Sequence, residues 1–167
     1  MGDYYSMRFK GIVKGEFRKG FSMVAMDGDW ELHPDDKIRS FSNNARFFMI
    51  PCGALSYSPS TWEQGPFDEF GQGTATDGFE RSYNEETGEW AFQCSLKTGS
   101  TIDHFFEEIV PYLCESLEFG EKQWEYDDYS TCYFFDEEGN IITEEIPYDE
   151  HKSAYQIVCE RDSDKER

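Results

Sequence analysis

Apolar residues recur at helical spacing most clearly over residues 100–119, where Ile102, Phe105, Phe106, Ile109, Leu113 and Leu117 fall with Val110 on one side of a helix. The other side is nearly all acid: Asp103, Glu107, Glu108, Glu115 and Glu118, with His104 and Pro111 among them. The pattern predicts a long helix that packs on a sheet by one face and shows a carboxylate ridge on the other. Ser100 with Asp103 three residues on supplies an N-terminal capping box. Pro111, mid-helix on the solvent side, predicts a kink near Glu107, because proline lacks an N–H and its ring strikes the carbonyl four residues back.

Alternation over residues 4–14 predicts a first strand, and residues 16–26 a short helix with Phe17 and Phe21 inward, ended by Asp27-Gly28-Asp29. A second short helix is expected over 35–41. Residues 45–57 are the most continuous apolar run and read as a central strand bent at Pro51. Residues 58–78 carry glycines, prolines, Trp62, Phe67 and Phe70. So long a loop either folds its rings back into the core or displays them to a ligand. Residues 79–83 and 89–97 flank a turn at Asn84–Gly88, with Trp90, Phe92, Cys94 and Leu96 on one face. Strands are then expected over 122–127, 129–136, 141–146 and 154–159, followed by a charged tail over 161–167. The order defines one α+β domain over residues 1–160: a mostly antiparallel sheet with one long and one or two short helices on one face.

Composition changes this picture in two ways. Fifteen Phe, ten Tyr and four Trp supply the core area that the scarce aliphatic residues do not. The net charge of −20 disfavours nucleic acid and anionic membrane and favours basic proteins. That charge is concentrated. Residues 1–102 hold fifteen acids against ten Lys and Arg, residues 103–150 hold sixteen against Lys122 alone, and residues 151–167 balance. The five cysteines, Cys52, Cys94, Cys114, Cys132 and Cys159, are dispersed and odd in number, which predicts reduced thiols in a cytoplasmic protein. No window reaches 18 apolar residues, so no membrane span is expected.

Candidate chemistry is sparse. His33, His104 and His151 sit outside any nucleophile motif, and the acids at Asp27, Asp29, Asp68, Glu69, Asp77 and Glu80 lack EF-hand spacing, so no catalytic residue, metal or cofactor is assigned. What remains is the acidic half. Duplex DNA carries one charge per 1.7 Å of axis, so fifteen net negatives match roughly 25 Å of it. Asp103, Glu107, Glu108, Glu115, Glu118, Glu121, Glu125, Asp127, Asp128, Asp136, Glu137 and Glu138 are nominated as a surface for a basic, nucleic-acid-binding protein, the acids standing in for phosphates. The competing readings are plain solubility, an adaptor or ligand-binding domain using Trp62, Phe67 and Phe70, and a carboxylate-based hydrolase or metal-dependent enzyme.

The segment Trp90-Ala91-Phe92-Gln93-Cys94-Ser95-Leu96-Lys97, the helix ending Pro111-Tyr112-Leu113, and the acidic strands with Phe134-Phe135-Asp136-Glu137-Glu138-Gly139-Asn140-Ile141 resemble the C-terminal unit of YubB-like ferredoxin-fold proteins carried by phages and plasmids. The resemblance implies a mobile-element protein with a ferredoxin-like half, acting in the host cytoplasm, and carries over no catalytic residue. By charge and setting the chain is similar to nucleic-acid mimics that block host defence nucleases, anti-CRISPR proteins among them.

Overall fold

A computed structural model describes residues 3–64 and 73–165. The alternating residues at the start form β1 (Tyr5–Val13). Two single-turn helices follow, α1 (Gly15–Arg18) and α2 (Ser22–Ala25), in place of the one helix expected over 16–26, because Gly20 turns the chain between them with φ of +77°. α3 (Asp36–Ser40) forms as expected, its N-cap Asp35 accepting the Ile38 N–H at 3.0 Å. The apolar run over 45–57 is not a strand. It holds the short helical turn α4 (Met49–Cys52) with Ile50 and Pro51 buried, and the Trp30 indole donates to the Ile50 carbonyl at 2.7 Å. Pro51 has no ladder donor, so the segment packs as a turn rather than extending.

β2 (Glu63–Gln64) and β3 (Thr74–Ala75) make a small separate ribbon. β4 (Ser82–Tyr83) and β5 (Glu89–Leu96) form the expected hairpin, with Gly88 at φ +79° in its turn. The helical stretch is α5 (Gly99–His104), a π turn over Phe105–Ile109, and α6 (Val110–Leu113). Then come β6 (Cys114–Trp124), β7 (Tyr129–Phe135), β8 (Ile141–Pro147) and α7 (Ala154–Lys165). The last element was expected as a strand over 154–159 and a tail; it is one helix that takes in residues 161–165.

The six-stranded sheet runs β4-β5-β1-β6-β7-β8 and all its pairs are antiparallel. β5 and β6 both oppose β1, so they are parallel to each other, joined through α5 and α6 with β1 between them. This is a split βαβ unit within an α+β fold.

The long helix ends six residues early. Leu113 and Leu117 keep helical spacing, but the residues from Cys114 also pair along the open side of β1, and the ladder wins over local periodicity. The π turn answers Pro111: the Val110 N–H reaches the Phe105 carbonyl five residues back, which relieves the expected clash at Glu107 by a bulge instead of a sharp kink. In β6 the register steps from Lys10 opposite Phe119 to Gly11 opposite Leu117, and again from Ile12 opposite Ser116 to Val13 opposite Cys114. Glu118 and Glu115 are thus the unpaired residues of two β-bulges. Gly11 is needed at the first, since a Cβ there would stand 2.9 Å from the Ser116 carbonyl oxygen and 2.7 Å from the Phe9 ring.

Both faces of the sheet are covered. On one, Phe9, Trp90 and Phe92 meet Phe105, Ile109 and Leu113 with Phe21, Trp30 and Phe41 of the short helices, all buried. Ring centroids there lie 4.5 to 6.5 Å apart, as for Trp30 with Phe41 and Phe21 with Trp30. Each such pair contributes about 0.5–1.5 kcal/mol beyond its area, which explains how a chain poor in aliphatics builds a core. On the other, Phe119, Cys132 and Ile146 pack against Phe79 and against Ala154 and Val158 of α7.

Candidate functional site

The nominated acids do not form one strip. Glu107 and Glu108 are exposed on the helix, but Asp103 pairs with Lys122 and its Oδ1 lies 3.4 Å from the Tyr133 hydroxyl. Glu115 binds Arg18 at 2.6 Å, and Glu118 lines a groove with Lys10, Ser82 and Glu89, its charge reaching Tyr155 of α7 on the opposite face from the helix. Glu121 is buried at 1% exposure. Glu125 accepts the Tyr4 N–H at 2.9 Å, and Asp136 caps the β7–β8 turn by accepting the Glu138 and Asn140 N–H groups at 2.9 Å. Glu137 and Glu138 are exposed in that turn, whereas Asp127 and Asp128 are in the β6–β7 turn at the other end of β7. Seven residues at about 3.3 Å each hold these two acidic turns roughly 20 Å apart. The expected continuous ridge is therefore corrected: bulges, ion pairs and a strand length divide it.

One part of it acquires company that the sequence does not announce. At the end of the sheet where β1 begins and β6 ends, Tyr57 and Tyr126 are 71% and 67% exposed. Tyr57 lies tilted against Tyr4 with ring centroids 5.1 Å apart, and Tyr126 meets Trp124 edge-to-face at 5.0 Å, Trp124 in turn being stacked on Tyr5. Tyr57 has a left-handed backbone with φ of +55°, a conformation that costs a bulky residue free energy. The acids are interleaved with these rings. The Tyr126 phenol is pushed up chiefly by the charge of Glu125 and further by Asp3, and that of Tyr129 by Asp127, Glu145 and Asp128. The Tyr148 N–H donates to the Asp128 carbonyl at 2.7 Å, which adds a third exposed ring to the same turn.

The opposite candidate, the 58–78 loop, is in part a strap. Trp62 is fully buried against the sheet, while Phe67 and Phe70 lie outside the described residues. Arg8, also at 0% exposure, holds the strap down: its Nη2 donates to the Trp62 carbonyl at 3.1 Å and to Thr76 Oγ1 at 2.5 Å, its Nη1 meets Asp77 at 3.5 Å, and its Nε donates to Gln93 at 3.1 Å. The guanidinium lies 4.8 Å from the Trp62 ring centre and 4.4 Å from that of Phe79. Glu121 faces Arg8 across the ladder, and its Oε2 accepts from Ser130. Burial pushes the Glu121 carboxyl up to about 7 against the pull of Ser130 and Arg8, and lowers Arg8 only to about 10, so the guanidinium stays charged at neutral pH.

No group of three or more His, Cys, Asp or Glu among the described residues is arranged to hold a metal. His33 is buried, its Nδ1 accepting the Asp35 N–H at 3.0 Å, and burial lowers its pKa. The cysteines are free thiols, Cys94, Cys114 and Cys132 buried and Cys52 and Cys159 exposed. No described helix is long and apolar enough to cross a membrane. The fold and site together define an α+β domain with both sheet faces covered and an acidic, tyrosine-bearing end. Compared with protein-family models, curated proteins and solved structures, the chain matches none.

Proposed function

We propose that this chain is an acidic protein-binding module that docks on the basic, nucleic-acid-binding surface of another protein through the Tyr57 and Tyr126 end of its sheet. The observation that supports it is the pair of rings left 71% and 67% exposed: Tyr57, on a strained backbone, lies against Tyr4, whose N–H binds Glu125, and Tyr126 directly precedes Asp127 and Asp128 in the β6–β7 turn. Rigid tyrosines and carboxylates in one patch suit arginine: the guanidinium stacks on a ring while its N–H fork meets a carboxylate. A nucleic-acid-binding defence nuclease is the partner suggested by analogy of charge and setting with nucleic-acid mimics.

Protamine, an arginine-rich nucleic-acid-binding protein, serves as the probe, with poly-lysine alongside it. Asp127→Lys with Asp128→Lys should weaken protamine binding at least tenfold and flatten its salt dependence, whereas Tyr126→Ser should weaken binding at least tenfold and leave the salt dependence as it is; poly-lysine should bind less tightly throughout. Glu107→Lys with Glu108→Lys, on the exposed helix, should change it little. Equal losses from the helix and turn variants, or no loss from either, would overturn the assignment and leave the charge as a solubility feature.

A further inference from the structure

Where the strap, the end of β8 and the start of α7 meet over the second sheet face, the described residues line a narrow recess of about 10 Å³, with Trp62, Glu121, Gln123, Ser130 and Ser153 among them. Two of these bring polar atoms that are buried and have no hydrogen-bond partner: the Trp62 indole Nε1 and the Glu121 Oε1. Both residues are at 1% exposure or less. Leaving a buried donor and a buried acceptor unpaired costs about 1–3 kcal/mol each, so two such atoms on residues that line the same recess call for an occupant.

The chemistry of the pair selects it. A metal cation cannot accept the indole N–H, and an anion is repelled by a carboxylate. A ligand that both accepts and donates satisfies the two atoms together, and the volume admits one molecule of the smallest such kind. We propose that this recess is a binding site for a single long-lived water, which accepts from Trp62 Nε1 and bonds to Glu121 Oε1, so tying the strap to the sheet. The same water serves either state of Glu121, since it donates to the carboxylate and accepts from the carboxylic acid. Ser130 and Gln123 are already engaged with one another at 3.2 Å, and Ser153 meets the Gln156 and Asp77 side chains, which leaves Trp62 and Glu121 as the pair in need. Arg8 does not fill the role, its donors being directed to Gln93, Asp77, Thr76 and the Trp62 carbonyl.

The test is water-selective NMR on the full chain with labelled tryptophan, the Trp62 indole resonance being assigned from its disappearance in Trp62→Phe. A bound water gives the indole proton laboratory-frame and rotating-frame cross-peaks to solvent of opposite sign, whereas proton exchange gives the same sign. The wild type and Glu121→Gln, which keeps a polar partner, should both show the opposite-sign pair. Glu121→Met, which removes it, should lose the signal. Absence of the pair in the wild type, or its persistence in Glu121→Met, overturns the proposal. If Glu121→Met does not fold, the wild-type spectrum decides alone, and a crystal structure with Trp62 bonded directly to Glu121 would equally refute it.

Discussion

Replacing Glu121 by Gln should stabilise the protein, and only above mildly acidic pH. The carboxyl is raised from 4.5 to about 7 by burial. The folded state therefore keeps a proton between those values that the unfolded chain has released, and stability falls as pH rises through that window. Below pH 4.5 both states are protonated and nothing is lost; above pH 7 the full cost of the buried charge is present. At 1.36 kcal/mol per pKa unit that cost is roughly 3 kcal/mol for a group with 1% exposure. Glutamine carries no charge, so Glu121→Gln escapes it. With a urea slope of about 2 kcal/mol/M, the variant's midpoint should exceed the wild type's by roughly 1.5 M at pH 8 and approach it near pH 4.5. Tryptophan fluorescence during urea unfolding at several pH values reads this out. Self-repulsion from the net charge of −20 bends both curves, so the difference between the two proteins is the quantity that isolates Glu121. A difference that does not change with pH, or a variant less stable at pH 8, would show that Arg8 holds Glu121 as a favourable ion pair and would refute the reasoning.

Two further outcomes check the packing. Gly120→Ala would put a Cβ 2.5 Å from the Phe106 ring, which is itself stacked at 4.0 Å on Tyr133 and cannot retreat, so thermal or urea unfolding should show a loss of about 1–3 kcal/mol. Ellman's reagent should titrate Cys159 and Cys52 in the native protein, Cys52 the more slowly because burial raises its pKa, while Cys94, Cys114 and Cys132 react only on unfolding; rapid modification of all five would contradict the described core.

The elements that sequence periodicity placed well are those whose partners are near in the chain or whose faces differ sharply. β1, the β4–β5 hairpin, β7 and β8 each alternate beside a turn residue, and Ile102 through Leu113 give one apolar side that is buried as a unit. The failures share one cause, a distant segment that overrides local preference. Leu117 continues a helical period, yet β1, about a hundred residues earlier, offers a ladder to it. Residues 154–159 are apolar and β-prone, but the second sheet face needs a cover, and a helix presenting Ala154 and Val158 supplies it. Arg8 alternates as a solvent-facing residue would, and is buried because the strap carrying Trp62 and Thr76 closes over it. Nothing within a strand's own sequence tells which of its faces another segment will cover.

The acidic half shows why counting charge could not locate a surface. Much of it has structural employment. Glu144 pairs with Arg161, and with Glu145 it charges the edge strand β8, where unpaired backbone would otherwise invite another strand. Asp136 and Asp149 bind the N–H groups of their own turns, Asp103 and Glu115 meet Lys122 and Arg18, and Glu121 is buried. Subtracting these leaves Glu107 and Glu108 on the helix, Glu118 at its bulge, Glu137 and Glu138 in the β7–β8 turn, and Asp127 and Asp128 in the β6–β7 turn as exposed or half-exposed acids for which no such task is described. Of these, Asp127 and Asp128 are the ones that adjoin an exposed ring, and Tyr57 reaches its place at the expense of backbone strain. Solubility would be served as well by any of these acids and would need no aromatic residue beside it. The side chains that distinguish the β6–β7 turn are tyrosines, not acids, and that is the reason Tyr126→Ser is more diagnostic than a charge reversal: it removes no charge, so any loss of binding it causes cannot be attributed to long-range attraction.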